Sequence, residues 1–106
     1  MKPEFEQLPL TISEAKHRFE IDVNGSVAFI EYEQDEDGII ALVHTEAPKE
    51  LEGTGAAAAL VEKTFLHIEE QKKLIQPFCP YIFAYIKRHP EWKRLVYQGF
   101  PAYHQL

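Results

Sequence analysis

Residues 51–62 read LEGTGAAAALVE, and the chain changes character across them. Upstream, apolar residues alternate with polar ones. Downstream, they recur every three or four positions. Between the two regimes, Gly53 and Gly55 lead into four alanines, Ala56 to Ala59. Glycine costs about 0.5–1 kcal/mol relative to alanine inside a helix. The pair therefore belongs to a turn that opens the helix. Such a turn serves unusual backbone angles, or it presents bare N–H groups to something negatively charged.

Working upstream, HRFEIDV (His17 to Val23) places Phe19, Ile21 and Val23 on one face and Arg18, Glu20 and Asp22 on the other. That is the period of a half-buried strand. Asn24-Gly25 follows, the strongest short hairpin signal, and SVAFIEYEQ is the return strand. Asp37-Gly38 makes a second turn into a third strand, IIALVHTEA. Its run from Ile39 to Val43 is continuously apolar, which predicts a strand covered on both faces.

Downstream, Ala57, Leu60, Val61, Thr64, Phe65 and Ile68 form one apolar stripe on a helix spanning roughly 54–72. LIQPFC then reads as a short strand, parallel to the third because a helix intervenes. Pro80 suits the first position of a second helix, which puts Cys79 at its N-cap. That helix should stop near His89, since the residue before Pro90 avoids helical angles. A further turn runs through Trp92 to Val96. The order is β-β-β-α-β-α: an α/β (α+β) chain with a mixed sheet, in which a three-stranded antiparallel meander is followed by α-β-α. Residues 1–15 read as a partly ordered arm, 16–97 as the domain and 98–106 as a tail.

With 106 residues the chain has room for one domain. It holds no run of eighteen or more apolar residues, so no membrane helix is expected. The first twenty residues have no apolar stretch of signal length, which points to the cytoplasm. A single cysteine makes neither an internal disulfide nor a cysteine-based zinc site, and no metal is expected. The net charge of −6 opposes nonspecific nucleic-acid binding. It would draw a cationic acceptor such as an amine.

Three motif families place glycines before a helix. A P-loop needs Lys and then Ser or Thr after the second glycine, and alanines stand there instead. The dinucleotide pattern G-x-G-x-x-G/A is formally met by Gly53, Gly55 and Ala58. Its context is wrong, because a meander comes first and the next strand ends in Phe78-Cys79 rather than an acidic residue. The third fits. Glu52-Gly53-Thr54-Gly55-Ala56-Ala57 resembles the acyl-CoA motif Q/R-x-x-G-x-G/A of the GNAT superfamily of N-acetyltransferases, with Gly55 and Ala57 at the small positions. Glu52 departs from the usual first residue. CPYIFAYIKRHPEW (Cys79 to Trp92) is similar to the C-P-(aromatic)-x-x-x-Y-I-x-R-H-P stretch of minimal, single-domain GNAT-like proteins. Together the two matches cover roughly residues 17–96.

The resemblance implies acetyl-CoA as cosubstrate and transfer of acetyl to an amine, such as a protein lysine or a small amine. It implies that the backbone of Gly53, Thr54, Gly55, Ala56 and Ala57, headed by Glu52, surrounds the pyrophosphate. It also implies that Thr45, Glu46 and Ala47 pair with the pantetheine arm. Cys79 stands where a helix dipole favours a thiolate. It is a candidate for protonating the leaving thiol, for carrying the acetyl group, or for a mixed disulfide with CoA; a small buried apolar residue is the plain alternative. Tyr85 is a candidate general acid, Arg88 a candidate phosphate contact, and His44 with Glu46 candidate bases. The alternative function is a CoA- or acyl-CoA-binding module with little or no catalysis. A third reading is a small interaction domain whose glycines only shape a loop.

Overall fold

The computed structural model describes residues 1–106. Its elements are α1 (Pro3–Glu6), β1 (Thr11–Ser13), β2 (Arg18–Val23), β3 (Ser26–Gln34), β4 (Ile40–Glu46), α2 (Ala56–Glu70), β5 (Ile75–Pro77) and α3 (Pro80–Arg88). Three 3₁₀ segments, Lys49–Leu51, Pro90–Leu95 and Tyr103–Gln105, complete it. The sheet has the order β1-β2-β3-β4-β5, antiparallel except for the parallel β4–β5 pair. This is the mixed-sheet α/β fold expected from the pattern. One strand is added: Thr11–Ser13, too short and too polar to show alternation, pairs along the edge of β2.

Asn24 and Gly25 both hold positive φ, 53° and 90°, between the paired residues Val23 and Ser26. A two-residue hairpin needs that pair of angles to match the twist of its strands. Phe19, Ile21, Ala28, Ile30 and Leu42 then share one face of the sheet and are buried. Helices α2 and α3 both pack on this face. Phe65 of α2 meets the ring of Tyr85 in α3 at 5.9 Å and that of Trp92 at 5.3 Å, which joins them into one layer.

The other face carries no layer, which corrects the expectation of a strand covered on both sides. Ile40 and Leu42 are buried, but Val43 is 38% exposed and Ala41 is only partly covered. A bulge explains the run. Glu31 opposes His44 and Tyr32 opposes Leu42, so Val43 is the extra residue in β4. An apolar stretch containing a bulge imitates a doubly covered strand.

The chain ends fold onto this unit. Phe5 is 3% exposed within the core cluster, and Phe100 packs against Phe78 and Phe83 at centroid distances of 5.1 and 6.3 Å. Arg94 chelates Glu69 with two hydrogen bonds, 2.6 and 3.0 Å long, tying the end of α2 to the Pro90–Leu95 segment. These bonds hold the Glu69 carboxyl below the usual carboxylate range.

Candidate functional site

Two strands part where the chemistry is expected. The β4–β5 ladder ends at Leu42 opposite Pro77, which has no N–H to extend it. The Cys79 N–H still donates to the Leu42 carbonyl at 2.8 Å, and then Pro80 starts α3. Beyond that point β4 pairs only with β3, so its other edge has no strand partner. Cys79 sits at the N-cap as the proline position predicts. Its side chain is buried, and its Sγ lies 3.3 Å from Thr45 Oγ1 across the gap.

The bulge decides which β4 side chains reach this gap. Without it, alternation from buried Leu42 would turn His44 inward and Thr45 outward. The extra residue reverses this. Thr45 pairs with core-facing Ile30 and meets Cys79, whereas His44 lies on the open face. There its ring faces Phe29 at 6.4 Å, and its Nε2 is 3.9 Å from Glu46 Oε1. Ala47 packs partly buried against the core. Thus Thr45 and Cys79 come together, and His44 and Glu46 form a separate exposed pair.

The glycine turn is built from its own hydrogen bonds. The Thr54 hydroxyl donates to the Leu51 carbonyl at 2.6 Å and accepts the Ala56 N–H at 3.2 Å. Gly53 and Gly55 hold φ of 72° and 89°, angles that L side chains rarely adopt. Gly55 is the N-cap of α2, and the Ala59 N–H makes the first helical bond to its carbonyl. The N–H groups of Gly53, Gly55, Ala57 and Ala58 donate to no group of the chain. Glu52 is exposed beside them. A row of free donors at a helix N-terminus is chemically an anion site.

A cleft of about 440 Å³ runs from this turn between α2 and α3. Its walls include Lys2, Gly55, Ala58, Glu62, Tyr85 and His89. Tyr85 is 7% exposed, and its ring lies 4.3 Å from that of His89. Burial foremost, then the carboxylates of Glu62 and Glu91, push its phenol above the ordinary value. The phenol therefore stays protonated at neutral pH and can donate. Tyr85 lies six residues after Cys79, about 9 Å along the helix axis. Arg88 is exposed in the last turn of α3. The sequence marks His89 only as the helix stop. It is that, and it also lines the cleft, a placement signalled by its four-residue spacing from Tyr85.

Residues 18–95 match the sequence profile of a family described as GCN5-related N-acetyl-transferase. The chain belongs to that family. The match begins with β2 and runs to the end of the Pro90–Leu95 segment, so it takes in the bulge, the glycine turn and Cys79. Membership gives this GNAT chain an acetyltransferase-type function, and acetyl-CoA is the family's general cosubstrate. No helix is long and apolar enough to cross a membrane. No group of three or more His, Cys, Asp or Glu is placed to hold a metal ion.

Proposed function

We propose that this GNAT chain binds acetyl-CoA across the glycine turn and the β4–β5 gap, and transfers its acetyl group to an amine. The observation that carries the reading is the row of free N–H groups at Gly53, Gly55, Ala57 and Ala58, of which Gly55 and Ala58 line the Tyr85 cleft. These donors suit a pyrophosphate. The unpaired edge of β4 at Thr45 to Ala47 suits the amides of a pantetheine arm, by the same pairing that adds a strand to a sheet. Arg88, exposed in the last turn of α3 and outside the cleft walls, is assigned a further phosphate only by the family resemblance.

In the transfer, the amine nitrogen attacks the thioester carbonyl carbon, a C–N bond forms and the C–S bond breaks. The departing thiolate takes a proton from the Cys79 thiol or the Tyr85 phenol, and the acceptor loses one to solvent or a base. The acceptor is a protein lysine or a small amine, approaching from the side where no layer covers the sheet.

Calorimetric titration with acetyl-CoA and CoA tests the reading, repeated on Gly55→Val. Binding by the wild type that the variant abolishes supports it. A wild type that binds neither compound overturns it. One observation favours the binding-module alternative: His44, the candidate base, lies on the opposite face of β4 from Cys79. Release of free CoA thiol that depends on added amine separates the enzyme from the module, and its loss in Cys79→Ala or in Tyr85→Phe identifies the proton donor.

A further inference from the structure

The cleft that the proposed reading assigns to the nucleotide is poor in positive charge. Glu62 and Glu91 line it, Glu52 stands beside the turn, and the whole chain carries a net charge of −6. Lys2 is the one lysine or arginine among its walls; the other cation there, the Met1 ammonium, stands 4.0 Å from Glu62 Oε2. Its stem lies over the glycine turn, with Cε 3.6 Å and Cδ 3.9 Å from where a Cβ on Gly55 would stand. The ammonium, one bond beyond Cε, is thus held beside the N-terminus of α2. It forms no ion pair and no hydrogen bond, although the chain has 17 acidic side chains.

The segment that delivers Lys2 is fastened. Phe5 is buried in the core and touches the same turn, 3.8 Å from the Gly55 Cβ position. The Glu6 carbonyl accepts a hydrogen bond from Lys63 of α2, and β1 pairs with β2 a few residues later. A cation presented on an anchored segment costs less ordering on binding than one on a free tail.

We propose that the N-terminal segment is a strap along the nucleotide cleft, and that Lys2 supplies the positive charge for the phosphates that the acidic walls and Glu52 do not. This rests on the acetyl-CoA reading above. Backbone N–H groups fix the pyrophosphate in place, and Lys2, whose stem lies over the same turn, neutralises it. The strap makes phosphate recognition depend on a residue outside the 18–95 segment that defines the family.

The test is titration of the full chain with CoA and with pantetheine, which lacks the phosphates, at low and high salt. Lys2 is exposed and its ammonium makes no hydrogen bond, so its substitutions should leave the fold intact, which the circular dichroism spectrum of each variant checks. For Lys2→Ala, CoA binding should weaken about three- to tenfold. Pantetheine binding should be unchanged, and the salt dependence of CoA binding should flatten. Lys2→Arg should restore both affinity and salt slope, and Lys2→Glu should weaken CoA further. Three results overturn the strap while leaving the acetyl-CoA reading intact: CoA binding unchanged in Lys2→Ala, CoA binding tightened, or CoA and pantetheine weakened alike. A wild type that binds no CoA overturns the underlying reading first, and the strap with it.

Discussion

Gly55 holds φ at +89° where α2 begins, and an L side chain in that region costs about 1–2 kcal/mol. A Cβ there would meet only Lys2 and Phe5 side-chain atoms at 3.6 Å or more, ordinary contact distances. The strain is therefore in the backbone rather than in packing. Gly55→Ala should destabilise the chain by about 1–2 kcal/mol, read as a lower urea midpoint with an unchanged slope. Gly53→Ala should cost a similar amount, because its φ is also positive and its Cβ would point into open space. A cost near zero at both sites would mean that the turn relaxes. The need for glycine was legible in residues 51–62. That Lys2 would lie over Gly55 was not, since the two are far apart in the chain and share no local signal.

At the scale of elements, α2 couples the parts of the helical layer. Phe65 is fully buried and touches both Tyr85 of α3 and Trp92 of the following 3₁₀ segment. Phe65→Ala removes a ring from both at once and should cost about 3–5 kcal/mol in urea unfolding. That is a large share of the stability of a domain this size. The stripe containing Phe65 was visible as three- and four-residue spacing, and the structure buries Leu60, Val61, Thr64, Phe65 and Ile68 of it. Strand β4 was less transparent. Its apolar run hid a bulge, because a bulge is a mismatch between two strands and neither strand records it alone. The bulge sends Thr45 to Cys79 and His44 to the open face, so the make-up of the candidate site turned on a feature that periodicity misses.

For the whole molecule, three tyrosines set a pH limit, Tyr85 buried, Tyr32 half-buried and Tyr81 more exposed. Burial is the leading cause that raises the phenols of Tyr32, Tyr81 and Tyr85 above the ordinary value of 10.0. A raised value means that the folded state keeps its proton where the unfolded chain loses it, near pH 10. Their contribution is present in full below that pH and is lost as pH rises through the folded values. Thermal unfolding should therefore be steady on the neutral side of pH 10 and fall steeply above it. Tyr85→Phe should soften the fall, since its phenol also feels Glu62 and Glu91. An alkaline limb unaltered in Tyr85→Phe would show that this phenol ionises freely in the fold.

Legible in the chain alone are the features that depend on near neighbours: the Asn24-Gly25 hairpin, the stripe of α2, and Cys79 at the N-cap behind Pro80. Each follows from a local rule of backbone angle or side-chain period. Long-range packing settled the rest. It placed both helices on one face, added β1 at the edge, used the bulge to choose Thr45 over His44 as the neighbour of Cys79, and laid Lys2 beside the glycine turn. Those outcomes depend on which surfaces meet in space, and residues distant in the chain carry no shared pattern that announces the contact.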